Sequence, residues 1–289
     1  MTPDIDIIRS VADLRARVRY WRDQGLAVGF VPTMGALHPG HLSLVARALE
    51  EADRVVASVF VNPTQFGPGE DFDRYPRQEE KDAALLAEAG CHVLFAPTVG
   101  EMYPAGFASR IQVAGVSDGL CGAARPGHFD GVATVVTKLL LQVLPDLAVF
   151  GEKDYQQLAV IRRLVRDLDI PVRVVGGPTV RESDGLALSS RNAFLDPIQR
   201  AVAPALHRAI DAVARGLEAG GEAAPLLARA VADLRGAGFA AVDYVEARDA
   251  ETLAPIERLG DRPARVLAAV RLGSTRLIDN VAATPPGDA

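Results

Sequence analysis

Cysteine is nearly absent from this chain. Cys91 and Cys121 are the only two, far apart in sequence, which suits neither a disulfide framework nor a zinc site and leads to the expectation of a cytoplasmic location. An excess of basic residues is also lacking: the net charge of −6 excludes a sequence-independent nucleic-acid binder, which needs a basic surface to displace counterions. No apolar stretch reaches membrane-spanning length. Residues 1–25 carry Asp4, Asp6 and Asp13 without a basic start and a long apolar run, so neither a signal peptide nor a membrane partner is expected. Lysine is rare as well: of 31 basic residues only Lys81, Lys138 and Lys153 are lysines. Against so much arginine, a retained lysine draws attention to the places where a compact ammonium does what a guanidinium cannot.

What is present is the balance of a globular protein, 49% hydrophobic and 24% charged over 289 residues, a length that suggests two domains. Val11, Leu14, Val18 and Trp21 step by three and four, the period of a helix with one buried face. Apolar strands at "AVGFV", "RVVASVFV", "HVLFAP", "DLAVFG" and "VRVV" then alternate with helical stretches beginning near residues 40, 78, 130 and 155. Such a rhythm predicts an α/β fold, a doubly wound parallel sheet covered on both faces, over residues 1–179. Beyond "GGPTVRESDG", read as a turn and hinge, two Ala-rich helices (197–218 and 222–236) precede three strands, which predicts a smaller α+β domain over 180–289.

"PTMGALHPGH" (Pro32, Thr33, Met34, Gly35, Ala36, Leu37, His38, Pro39, Gly40, His41) lies where the first of those strands ends and a helix begins. Residues three apart share a helix face, so His38 and His41 can address one ligand. The helix start offers unpaired N–H groups, and glycines allow close backbone approach, a setting for phosphate oxygens. "GEKDYQQL" repeats the geometry: Gly151 closes a strand, Glu152 follows it, Lys153 stands at the next helix to hold phosphate oxygens, and Asp154 either accepts from a ribose hydroxyl or caps the helix. Val180 and "LALSSRN", with Leu188, Ser189, Ser190 and Arg191, fall early in the second domain, where hydroxyls and a guanidinium can close over the same phosphates. "VNPTQFGPGEDFDRYP" is too long and too rich in Gly and Pro for a simple connection and reads as a substrate wall, with Asn62 and Gln65 as neutral partners for a hydroxy acid and Tyr75 as packing. "RPGHFDGVATVV" brings Arg125 and His128 to another helix start, and Lys138 within that helix reads as a solvated or snorkelling side chain.

Taken in order, "PTMGALHPGH", "VNPTQF", "RPGHFDGVATVV", "GEKDYQQL", "SSRN", "DYVEARD" and "RLGSTRLIDN" resemble the pantoate–β-alanine ligase family over nearly the whole chain. The histidine and "SSR" signatures are more distantly similar to those of nucleotidylyltransferases and class I aminoacyl-tRNA synthetases. The resemblance implies a Rossmann-like first domain, a smaller C-terminal lid, a homodimer, the small-molecule substrates pantoate, β-alanine and ATP, and Mg²⁺ with the ATP. It places ATP along Met34 to His41, on Gly151, Glu152, Lys153 and Asp154, at Val180, and across Leu188 to Arg191, and Pro32 and Thr33 of the same motif are counted with them. It puts pantoate on Gln65 and Gln157 and β-alanine near Gln65, and assigns His41 as catalytic proton donor; the residues' own chemistry adds Asn62, Arg125 and His128 as substrate contacts and His38, Lys153 and Arg191 as catalytic groups that stabilise phosphoryl charge. Leu188 stands where the family often has Met, a swap of similar volume. Glu79, Glu80 and Asp82 offer no metal-ligand spacing, so no protein ligand of Mg²⁺ is assigned.

Three other readings are separable. A nucleotidylyltransferase would release pyrophosphate without an amine-dependent release of AMP, and a regulatory nucleotide-binding module would make neither product. An NAD-dependent oxidoreductase is disfavoured because the first of those strands lacks the spaced triple-glycine turn.

Overall fold

Val28 to Val31 are buried without interruption, and in the computed structural model of the chain, which describes residues 5–70, 72–285 and 287, they form an inner strand of a six-stranded sheet. Asp4, one of the acidic residues at the start, and Asp71, in the long loop, lie outside the described residues. The strands are β1 (Asp6–Ile8), β2 (Val28–Thr33), β3 (Arg54–Val59), β4 (Val93–Phe95), β5 (Leu147–Gly151) and β6 (Arg173–Gly177). All pairings are parallel and the order is β1-β4-β3-β2-β5-β6. From β2 the chain winds outward through β3 and β4, then returns to the other side of β2 with β5 and β6, as in a Rossmann-like sheet. That reversal between β2 and β5 is where ligands of open α/β sheets bind, beyond the carboxyl ends of the strands. The "PTMGALHPGH" and "GEK" segments follow those two ends.

Helices α1 (Val11–Asp23), α2 (Pro39–Leu49), α3 (Glu79–Glu88), α4 (Val99–Met102), α5 (Leu120–Ala124), α6 (His128–Val143) and α7 (Tyr155–Asp167) connect the strands. As its spacing predicts, α1 buries Leu14, Val18 and Trp21. One core cluster joins Leu44, Val45 and Ala48 of α2 to Val31, Val55, Ala57 and Val149 of the sheet. Burying a side chain of this size is worth about 1.5–3 kcal/mol, so the core holds α2, and with it the loop in front, against the sheet.

After α8 (Pro197–Val202), α9 (Ala205–Glu218) and α10 (Ala223–Gly236) come β7 (Ala241–Asp249), β8 (Ala264–Leu272) and β9 (Thr275–Ala283), an antiparallel sheet in that order. Leu206, Ile210, Val213 and Leu217 line the buried stripe of α9 and share a core with Val266, Ala268 and Val270 of β8. By its contacts the chain divides into two compact units: the first runs to Val113 and includes Arg125–Glu152 and Val160–Pro178, and the second takes Ala114–Ala124, Lys153–Ala159 and Thr179 onward. Among the described residues no helix is long and apolar enough to cross a membrane.

The edge strand β1, for which there is no sequence expectation, is only three residues long, too short to show a period. Two local expectations change. The helix expected over 197–218 is two, α8 and α9, separated at Ala203 and Pro204. Gly176 and Gly177 are not a turn: they pair with Phe150 and Gly151 as the end of β6, and Leu44 occupies the space that a side chain at Gly177 would need.

Candidate active site

The loop that leaves β2 turns through two left-handed residues, Gly35 (φ 83°) and Ala36 (φ 52°). Glycine adopts this conformation readily, whereas alanine pays about 1–2 kcal/mol for it. The offsetting contact comes from Asp82 of α3. Its carboxylate, fully buried, accepts the N–H of Ala36 and that of Leu37, each at 2.9 Å. Successive N–H groups around an anion form a nest, here filled by the protein's own carboxylate. Thr33 adds a second tie, donating from Oγ1 to the Ser58 carbonyl (2.8 Å) and accepting the Gly35 N–H (3.1 Å).

At the start of α2 the structure revises the expectation of unpaired N–H groups. His38 is the N-cap, and its Nδ1 accepts the Gly40 N–H at 3.2 Å. His41 reaches back, its Nδ1 accepting the His38 N–H at 3.3 Å, while the His41 N–H goes to the His38 carbonyl. Pro39 has no N–H to offer. A neutral imidazole whose Nδ1 accepts carries its hydrogen on Nε2. Both rings are therefore fixed as Nε2–H donors, placed at the positive end of the helix dipole.

A chain of amides lies in the same unit. Gln65, 8% exposed, donates from Nε2 to the Met34 sulfur at 3.1 Å and accepts from Asn62 Nδ2 at 3.0 Å. Asn62 also donates to the Gly131 carbonyl (3.2 Å), and its Oδ1 accepts from Thr64 and from the Tyr103 hydroxyl (2.8 Å). At 1% exposure Asn62 holds Gln65 in place. Arg125 and His128 also support Gln65. Arg125 pairs with Glu70 (2.5 and 2.8 Å) and lies 3.0 Å from His128 Nε2. A guanidinium only donates, so His128 Nε2 accepts and its Nδ1–H donates to the Gln65 carbonyl at 2.9 Å. Burial alone would raise the Glu70 carboxyl, yet hydrogen bonding and charge from Arg125 hold it below its ordinary value. Gly131 allows this packing: a Cβ there would lie 2.7 Å from Gln65 Cα and closer still to the Thr64 carbonyl. Tyr103 belongs to no motif, and Gly131 sits inside "RPGHFDGVATVV" without a role read for it; both are supporting residues that sequence reading misses. Tyr75 is buried beside Phe66, as expected of packing. Lys138 stands 4.7 Å over the Phe107 ring, a cation–π contact in place of simple solvation.

The remaining candidates belong to the second unit, except Gly151 and Glu152, which end β5 and begin the short 3-10 turn Glu152–Asp154. Lys153 Nζ is 3.7 Å from Asp154 Oδ2, and its carbonyl accepts from Asn280 Nδ2 at 2.9 Å. Gln157 is partly exposed on α7. Val180 and Leu188 face each other across a hairpin, the Leu188 N–H donating to the Val180 carbonyl at 2.9 Å. Ser189 follows as the cap of a 3-10 turn over Ser190–Phe194, its Oγ accepting the Arg191 N–H at 3.2 Å. One loop thus carries Val180 and Leu188 to Arg191.

Among the described residues no group of three or more His, Cys, Asp or Glu could hold a metal ion. Of the acidic trio in "RQEEKD", Asp82 is committed to the loop and Glu79 to Arg9. These residues do not form a protein cage for Mg²⁺.

Sheet order and the antiparallel unit define the class as a Rossmann-like α/β protein with a small α+β unit. A family model described as Pantoate-beta-alanine ligase matches residues 6–282. A pantothenate synthetase of Paramagnetospirillum magneticum is 70% identical over 285 residues, covering 99% of this chain and all of that protein. A pantothenate synthetase of Thermus thermophilus superposes with a TM-score of 0.90 at 53% identity, over 97% of this chain and all of that one. A pantoate-beta-alanine ligase of Francisella tularensis, solved with beta-gamma ATP and beta-alanine, gives 0.80 at 34% identity over 96% of this chain and 97% of that one. The chain belongs to the pantoate–β-alanine ligase family and is an enzyme of that type.

Proposed function

We propose that the ligation of pantoate to β-alanine runs on ATP through a pantoyl adenylate, with pyrophosphate and AMP as the other products. The observation that carries this reading is the histidine pair: two imidazoles with Nδ1 engaged by the main chain present Nε2–H donors at a helix start, where phosphoryl oxygens gather charge. The ATP compound and β-alanine held by the Francisella relative support both as substrates here.

Pantoate's carboxylate is ionised near neutral pH and needs no base. One of its oxygens attacks the α-phosphorus, the bond to the bridging oxygen of pyrophosphate breaks, and pyrophosphate leaves with the electron pair. In this reading His38, His41, Lys153 and Arg191 stabilise the charge, ATP is held by Pro32 to His41, Gly151 to Asp154, Val180 and Leu188 to Arg191, and Gln65 and Gln157 orient pantoate. Asn62, Arg125 and His128 act by holding Gln65. The deprotonated amine of β-alanine then attacks the acyl carbon, the bond to the phosphate oxygen breaks, and AMP departs while the new amide nitrogen loses its proton. That proton passes to solvent, and His41, the family's proton donor, keeps its Nε2–H and donates a hydrogen bond to the departing phosphate oxygen.

Water would hydrolyse the adenylate, which gives residues 180–289 the part of a lid. Mg²⁺ belongs to this proposal as a partner of the ATP phosphates. Two buried, unbridged cysteines fit a cytoplasmic setting, and the homodimer rests on the family resemblance. Pantoate labelled with ¹⁸O in its carboxylate tests the intermediate: one label must appear in AMP. Label in inorganic phosphate, with ADP formed, would replace the adenylate by an acyl phosphate.

A further inference from the structure

Lys153 comes two residues after Gly151, the last residue of β5, yet its segment is tied to the C-terminal sheet. The segment Lys153–Ala159 belongs to the second unit, and three contacts hold its beginning there. Asn280 of β9 donates from Nδ2 to the Lys153 carbonyl at 2.9 Å. Arg265 of β8 lies 4.2 Å over the Tyr155 ring. The Tyr155 hydroxyl donates to the Ala250 carbonyl at 2.8 Å.

Asn280 is itself held firmly. It is 2% exposed, and its Oδ1 accepts from Arg265 at 3.0 Å, which fixes the amide so that Nδ2 faces Lys153. Its neighbour Asp279, also buried, takes both terminal nitrogens of Arg181 at 2.7 and 2.9 Å. Arg181 continues to the carbonyls of Asn280 and Gly185, and it lies in the hairpin whose next positions are Val180 and Leu188. Two successive residues of one strand therefore hold two separate segments, the lysine turn and the hairpin that leads to Arg191. Bidentate guanidinium–carboxylate pairs and buried amide hydrogen bonds are directional, so the two segments share one rigid frame.

We propose that Asn280 is a positioning residue for Lys153, and that through it β9 carries Lys153 and the 180–188 hairpin as one piece. The proposal rests on the reading of Lys153 as a phosphate-stabilising group. It predicts that the ammonium's placement depends on an amide 127 residues further along the chain.

Asn280→Ala and Asn280→Asp in the full chain test it. The aspartate keeps an oxygen for Arg265 and puts an oxygen where the donor to Lys153 stood, so the fold survives while the tether is lost. Hydrogen exchange followed by mass spectrometry should quicken about tenfold in peptides over residues 151–156 in both variants and stay unchanged over β2 and α2. The kcat of pantoate-dependent pyrophosphate release should fall about tenfold with the KM for pantoate unchanged, and Asn280→Ala should cost nothing further in a Lys153→Ala background. Unchanged exchange over 151–156, or an equal loss with and without Lys153, overturns the proposal. If the parent chain gives no pantoate-dependent pyrophosphate, the adenylate reading fails instead, and the exchange experiment still decides whether Asn280 holds Lys153.

Discussion

The rings of His38 and His41 lie with centroids 4.0 Å apart and planes tilted by 43°, each locked by a main-chain N–H on its Nδ1. This arrangement gives the two histidines a structural duty, capping α2, and a chemical one, presenting Nε2–H. The duties can be separated by substitution.

Asparagine is a favoured helix cap whose Oδ1 can accept the Gly40 N–H as Nδ1 does, but it has no counterpart of Nε2. His38→Asn should keep stability within about 1 kcal/mol of the parent while pantoate-dependent pyrophosphate formation falls about a hundredfold. His38→Ala should lose the rate and, in addition, about 1 kcal/mol of stability. Urea unfolding beside the pyrophosphate assay checks both, and a near-parent rate for His38→Asn removes its Nε2 from the mechanism.

Asp82 accepts two N–H groups of the loop with no exposure to water. Asp82→Asn points an amide donor at one of those N–H groups and should destabilise the chain by about 1–3 kcal/mol. The loop then loses its left-handed turn, and the KM for ATP should rise by about tenfold or more. Parent-like unfolding and KM would show that the nest does not depend on the carboxylate.

Gly131→Ala places a methyl group against the Thr64 carbonyl and Gln65 Cα. The turn carrying Gln65 has to move, so the KM for pantoate should rise about tenfold or more while ATP binding, measured by calorimetry without pantoate, stays close to that of the parent. An unaffected pantoate KM would free Gln65 from its assigned role.

The Glu70–Arg125 pair supplies a pH signature. Burial pushes Glu70's carboxyl up, but the hydrogen bond and charge of Arg125, aided by the Gly67 backbone and His128, hold it below its ordinary value, so its contribution is fully present above the usual glutamate value and is lost as pH falls through the lowered one. Parent and Glu70→Gln should therefore differ by about 1–2 kcal/mol near pH 7 and converge in acid. A constant difference across that range would contradict the pairing.

Periodicity made the main strands and helices legible, since Leu14, Val18 and Trp21, or the apolar run into Thr33, show their burial directly in the sequence. The candidate motifs are legible because His38 and His41, or Ser189 and Arg191, are close in sequence. What escaped depends on distant partners. Asp82 looks like one acid of a solvated helix start, and only the fold brings it to Ala36 and Leu37. Gly176 and Gly177 look like a turn because the sequence does not reveal that Glu152 and Arg162 crowd the first and Leu44 fills the space beside the second. Pro204 divides a helix that its alanine-rich surroundings would continue.

The most direct test of the account incubates the protein with Mg-ATP and pantoate, with and without β-alanine, and follows pyrophosphate and AMP. The account predicts pyrophosphate that depends on pantoate, and sustained AMP release only when β-alanine is added. Pyrophosphate formed without pantoate, or neither product despite bound ATP, would contradict it.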